Sequence, residues 1–205
     1  MYIPRHFEER DPAAVSAIME GAPLACVVAQ TAEGLVANHL PLLAAPDGSL
    51  IGHCALANGM HREIGEGQEV LAIFRGADGY VSPNDYPGKA KHHRAVPTWN
   101  YQAVHVHGRI SFSHDMQAKR RAVALLTRLH ERRANGDAAW KMADAPADYL
   151  EGMLGNIVAL QIEVTRVLAK SKLSQNRDAA DLQGAIDGLA ARGNAGLAQI
   201  MAKKR

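Results

Sequence analysis

Between Leu24 and Arg75 the chain carries four short, β-rich apolar runs with no room for a helix between the first three. They are "LACVVAQ" (24–30), "LVANHLPLL" (35–43), "SLIGHCAL" (49–56) and "EVLAIFR" (69–75). The links "TAEG" and "AAPDG" are turn chemistry and suit hairpins, whereas "ANGMHREIGEGQ" has space for one helical turn. Parallel neighbours need a crossover of a dozen or more residues, so these links dictate antiparallel pairing. A sheet of about six such strands must hide its edges, and closing into a barrel is the direct way to do so.

The remaining segments fit around that sheet. "DPAAVSAIMEG" reads as a first helix, with Asp11 as cap, Pro12 in the first turn and Val15, Ile18 and Met19 on one face. Residues 80–97 hold three prolines and the basic knot "KAKHHR", which predicts a long surface loop. Residues 98–113 form the longest strand, with Val104, Val106, Ile110 and Phe112 on one face and His105, His107, Arg109 and Ser111 on the other. Gly108 interrupts the inner row and marks a bulge or a close backbone approach. Helices follow over 115–135 and 145–155, then a strand over 156–174 and a helical tail over 178–203. The expected organisation is one domain over 1–177 and a C-terminal helical extension over 178–205. The fold class is α+β, mainly β, with peripheral helices.

Composition removes several classes of function. A formal charge of +2 argues neither for nor against nucleic acid. Cys26 and Cys54 each sit in an apolar run, the usual place of a free thiol. The start "MYIPRHFEERDP" has no apolar signal-peptide core, and no run approaches the ~18 apolar residues of a membrane helix. A cytoplasmic protein is the expectation. The nucleotide-loop, zincin and thiol-redox motifs are absent. His105-x-His107 has metal-ligand spacing, but a solvated strand face explains it more simply. Lys119, Arg120, Arg121, Arg128, Arg132 and Arg133 on one helix suggest contact with DNA phosphates, or more simply a solvated face.

Three polar groupings stand out as binding candidates. Asn38 and His39 interrupt an apolar strand, where a flat heterocycle would need both donors and acceptors. "SKLSQNR" (171–177) is dense in hydrogen-bonding side chains at a strand end. Trp99-Asn100-Tyr101 holds two of only 10 aromatic residues in the chain.

Taken together, "MYIPRHFEE", "NHLPLL", "YVSPNDYPGK", "VPTWNYQAVHVHG" and "KLSQNR" resemble the PaiB family of FMN-binding negative transcriptional regulators, in order, from Met1 to about Arg177. The resemblance implies an antiparallel split β-barrel of the FMN-binding type, similar to pyridoxamine 5′-phosphate oxidase. It also implies a homodimer with FMN in the groove between subunits. By that resemblance Asn38, His39 and Leu40 run alongside the flavin ring. His53, Asn58, Gly59 and Arg62, with the N–H of Met60, reach the phosphate. Trp99, Asn100 and Tyr101 cover or edge the flavin, and Lys172, Gln175 and Asn176 close the far side.

The chain departs from the family pattern at two places. Asp85 stands where the family has an aromatic residue, with Gly88 in place of serine. Asn58-Gly59-Met60-His61 replaces a run of the "NPQW" kind. Direct DNA binding is the weaker half of the expected role, since no helix-turn-helix signature is present. The alternative is an FMN-dependent oxidoreductase or flavin reductase acting on a small molecule, with His39, His105 or Tyr101 as proton donor.

Overall fold

The computed structural model describes residues 1–204. In chain order the elements are α1 (Pro12–Gly21), β1 (Leu24–Thr31), β2 (Gly34–Pro41), β3 (Leu43–Ala44), β4 (Leu50–Ala55), α2 (Met60–Glu63), β5 (Glu69–Val81), α3 (Lys89–His92), β6 (Thr98–Ser113), α4 (Met116–Asn135), α5 (Ala147–Gly155), β7 (Ile157–Lys172), α6 (Ala179–Ala191) and α7 (Ala195–Lys203). The strands form one sheet in the order β2-β1-β5-β6-β7-β4-β3. The chain divides into two compact units: a terminal unit of Met1–Ala22, Arg75–Val104 and the residues from Leu168 onward, and a central unit of Pro23–Phe74 and His105–Val167.

The short links of the central unit do make antiparallel neighbours. β1 and β2 pair along their whole length, from Leu24 opposite Pro41 to Thr31 opposite Gly34. β4 pairs antiparallel with β7, from Leu50 opposite Ile162 to Ala55 opposite Ile157. The run 35–43 is two strands, because Leu42 leaves the ladder, sends its N–H to the Pro23 carbonyl and is buried. Val27, Phe74, Val106, Ile110, Val158 and Ile162 are almost fully buried, each at the alternating positions a one-faced strand provides. Gly108 proves to be a close approach: a Cβ there would lie 2.4 Å from the Glu163 carbonyl oxygen. α4 is capped by Asp115, which accepts the Ala118 N–H at 2.8 Å, and buries Ala122 and Leu126.

The terminal unit corrects the expected surface loop. β5 continues to Val81, a 3₁₀ turn follows over Pro83–Asp85, and α3 completes the segment. Val81 and Tyr86 are buried with Leu173 and with Ala185, Ile186, Leu189, Leu197, Ala198 and Met201 of α6 and α7. The prolines of this segment signal turns correctly. What the pattern of 80–97 does not reveal is the apolar cluster contributed by the tail.

Polar ties hold the tail in place. The Asp85 carboxylate receives both Arg192 guanidinium nitrogens, at 2.9 and 2.6 Å. Asp181 accepts the Gly88 N–H at 2.8 Å. Gly184 and Gly188 lie between those two ties on α6. A Cβ on Gly184 would fall 1.9 Å from the Asp85 carbonyl oxygen, and one on Gly188 2.4 Å from its carboxyl group. Positions 184, 188 and 192 repeat every four residues, so they form one face of the helix. At the chain ends, Lys204 donates to buried Glu9 at 2.6 Å, and the Ser171 hydroxyl donates to the same carboxylate at 3.0 Å.

Candidate functional site

The candidate residues fall into two groups, one in each unit. In the central unit, the Asn38 side-chain oxygen accepts from Asn58 Nδ2 at 2.9 Å. Asn58 Oδ1 in turn accepts the Met60 N–H at 3.0 Å. This short chain of amides ties β2 to the turn after β4. It also uses one of the N–H donors expected for a phosphate. Arg62 donates to the Leu56 carbonyl at 3.4 Å and lies 3.0 Å from His61 Nε2. The Glu63 carboxylate folds back over Gly59, so that a Cβ on Gly59 would meet it at 2.2 Å.

Strand alternation separates two residues that were expected to act side by side. Asn38 pairs across from buried Val27, while His39 pairs across from half-buried Cys26. Successive side chains on a strand point to opposite faces, so Asn38 and His39 cannot both face one ring. Leu40 is packed into the core. His53 on β4 is half-buried, and its Nδ1 has no hydrogen-bond partner among the described residues. Burial pushes the His53 pKa down, which favours the neutral imidazole.

In the terminal unit the same alternation divides the tryptophan motif. Asn100 is fully buried and donates to the Ser174 hydroxyl at 2.8 Å, with Met201 Sδ at 3.5 Å. Its Oδ1 has no partner among the described residues. Ser174 holds φ at +63°, a left-handed conformation that non-glycine residues rarely adopt. Trp99 and Tyr101 lie on the other face of β6. Trp99 remains 51% exposed, and its indole N–H donates to Asp78 at 2.9 Å. Tyr80 lies beside it with ring centroids 6.2 Å apart.

Lys172 joins the tryptophan group directly. Its ammonium donates to the Trp99 carbonyl at 2.7 Å and to the Thr98 hydroxyl. Burial, then the charges of Lys170 and Arg177, lower the Lys172 pKa. Gln175 is occupied locally, accepting the Leu173 N–H at 2.7 Å and donating to the Ser171 carbonyl at 2.6 Å. Asn176 lines an open pocket with His92, Arg94, Arg177, Asp178 and Asp181. No cluster of three or more metal-ligating side chains occurs among the described residues.

Ser174, a candidate of the "SKLSQNR" run, pairs with Asn100. Two further residues belong to these groups and go unread in the sequence: Asp78 pins the Trp99 indole, and Lys170 lies under Tyr101. Only Lys170 left a local signal, since Lys170-x-Lys172 places two ammonium groups on one strand face. The central group suits a flavin: it offers a sheltered polar atom that lacks a partner, His53 Nδ1, and a heterocycle with donors and acceptors supplies what such an atom needs. In the terminal unit the unpartnered Asn100 Oδ1 lies on the face opposite Trp99 and Tyr101.

Comparison with known proteins agrees. The family model described as "Putative FMN-binding domain" matches residues 1–166. Protease synthase and sporulation protein PAI 2 of Bacillus subtilis is 30% identical over 92% of this chain and 89% of its own. Among solved structures, the flavocytochrome Anf3 of Azotobacter vinelandii superposes with a TM-score of 0.61 at 15% identity, covering 88% of this chain and 77% of that one. An FAD and heme binding protein of Mycobacterium smegmatis gives 0.59 at 18% identity, covering 91% and 80%. At those identities the two structures establish the fold, a split β-barrel, and nothing further. The sequence matches carry the family: the chain belongs to the PaiB family of FMN-binding proteins, and FMN is the cofactor that membership implies.

Proposed function

We propose that this chain acts as a homodimeric FMN-binding regulator of the PaiB type, in which bound flavin is the ligand or redox signal and transcription is repressed. The observation that carries the flavin reading is His53 Nδ1, a sheltered, unpartnered polar atom within the group that family resemblance assigns to FMN. By the family resemblance the residues that would hold the cofactor are Asn38, Asn58, Gly59 and Arg62, together with Trp99, Tyr101 and Lys172. Bound FMN supplies hydride and electron transfer. The chain's own residues orient the ring through amides, an indole face and an ammonium group.

Dimer formation is supported by the outer face of β1 and β2. Leu24 is 59% and Leu35 75% exposed, with half-buried Cys26 and Val28 between them and Leu71 and Ile73 on the adjoining strand β5. A face of this composition on a single chain calls for a partner. Sedimentation equilibrium should report a dimer, and Leu35→Glu should shift it towards monomer. A wild-type monomer at micromolar concentration would remove this part of the reading.

DNA contact by α4 has less support than its charge count suggests. Lys119 is buried, and Arg121 lies 3.9 Å from Asp47. The oxidoreductase alternative draws on one observation, the exposed Trp99 face, which leaves room for a small molecule to stack. Anaerobic mixing of the FMN-loaded protein with NADPH separates the two. Rapid bleaching of the flavin band favours an enzyme. A stable oxidised spectrum, with recovery of specific fragments from a genomic DNA pool, favours a regulator. Trp99→Ala and Asn100→Ala should each weaken FMN binding by about tenfold, the scale of one lost stacking or buried hydrogen-bond contact. Unchanged affinity in both would end the assignment of this motif to the cofactor.

A further inference from the structure

Lys170 is only 6% exposed. Its ammonium donates to the Tyr2 carbonyl at 3.1 Å. It also stands over two aromatic rings, Tyr101 at 5.1 Å and Tyr2 at 5.6 Å from the centroids. An ammonium has three N–H donors, so two remain without an acceptor among the described residues. Buried charges are ordinarily paired, because leaving one unpaired in a low-dielectric site is costly.

The carboxylates in reach are engaged elsewhere. Glu8 bridges to Lys170 only through the backbone, and its side chain holds Arg10 at 2.6 Å. Glu9 is bound by Lys204 and Ser171. Asp78 takes the Trp99 indole and Arg75. Lys172 lies two residues along the same strand face and bonds only neutral oxygens, those of Thr98 and Trp99. The result is a sheltered pair of like charges, walled by aromatic rings, with no counter-ion among the described residues. Tyr2, whose carbonyl and ring meet the Lys170 ammonium, is itself 83% exposed.

We infer that Lys170, with Lys172, Tyr2 and Tyr101, forms a binding site for a carboxylate or phosphate group on a small second ligand that meets the flavin edge. The inference rests on the proposed function in one respect: Trp99, Tyr101 and Lys172 are there the flavin-edge residues. It names the class of molecule that would act on or report to that flavin, an organic anion small enough to fit beside an indole.

The test uses the full-length, FMN-loaded protein carrying Trp140→Phe, so that Trp99 is its sole tryptophan. Inorganic phosphate and benzoate are titrated while indole fluorescence is followed, with Lys170→Met and Lys170→Arg as variants and a thermal melt to confirm folding. Saturable binding of either anion is expected. Removing the charge should weaken it by about tenfold or more, and Lys170→Arg should retain most of it. No saturable response to either anion, or equal affinity in folded Lys170→Met, overturns the inference. A third outcome also overturns it: if added FMN displaces phosphate, and Lys170→Met weakens FMN but not riboflavin, the site belongs to the cofactor's own phosphate. Should the chain take up no FMN at all, the proposed function fails, and the same titration without flavin still decides whether Lys170 binds anions.

Discussion

The two turns that the family resemblance marks out, at Asp85 and at Gly59 to His61, are held in different ways. At the first, the chain binds the Asp85 carboxylate from its tail. Arg192 binds it in bidentate fashion, and Gly184 and Gly188 clear the space for α6 to approach. At the second, Gly59-Met60-His61, the local groups satisfy one another: Asn58 takes the Met60 N–H, Arg62 turns to Leu56, and Glu63 covers Gly59. The first turn is absorbed into packing by a remote segment. The second is closed locally, with the Glu63 carboxylate over Gly59, beside the proposed phosphate position. A turn held by a remote segment matters first to packing, and a turn closed by its own groups matters first to the proposed site beside it.

The largest effect should come from closing the gap that α6 leaves. Gly184→Val puts a branched side chain against the Asp85 carbonyl and the Pro87 ring, with no flexible neighbour to yield. Overpacking of this kind costs about 3 kcal/mol, and the loss should appear as a lower midpoint in urea. A stability within about 0.5 kcal/mol of wild type would mean that the tail is not docked as described. Next in size, Asn58→Ala removes two half-buried hydrogen bonds, to Asn38 and from Met60, and should cost about 1 kcal/mol of stability while weakening FMN binding by about tenfold. Unchanged FMN affinity would erase the contrast between the two turns.

Arg192→Ala leaves the nearly buried Asp85 carboxylate unpaired and should cost about 1–2 kcal/mol. Its pH dependence sharpens the point. Arg192 holds the Asp85 pKa below the usual carboxylate range. Its contribution is therefore complete above the unfolded-state pKa and fades as pH falls through the lower folded value. Wild type and Arg192→Ala should differ at neutral pH and converge under strong acid. Smallest of all, Glu63→Gln should tighten FMN binding by about fivefold, since it removes one negative charge beside the proposed phosphate site in a largely solvated setting. Weaker binding would show that Glu63 supports the turn instead of opposing the ligand.

Much of the fold could be read directly from residue periodicity. The four β-rich runs, the strand at 98–113, the basic helix and the helical tail all occur where their spacing placed them, because each has its own local period and punctuation. Pro41 and Leu42 account for the one strand that divides. Segment 80–97 is largely exposed, as its prolines and charges suggest, but Val81 and Tyr86 are buried in a cluster with residues of the distant tail, which no local pattern announces. The site was less legible for the same reason. Asn38-His39 and Trp99-Asn100-Tyr101 look like clusters in sequence, yet a period of two sends neighbours to opposite faces. Asp78 and Ser174 become meaningful only through Trp99 and Asn100, and a single chain of letters does not show who meets whom.

The central claim is that this chain binds FMN through the residues its two groups present. The most direct test is a titration of purified, desalted protein with FMN, followed by flavin absorbance and fluorescence, on wild type and on Trp99→Ala. Saturation near one FMN per chain, with a shifted flavin band and an affinity about tenfold weaker in the variant, is the result expected. Absence of saturable binding at micromolar FMN in the folded wild-type protein would contradict the claim.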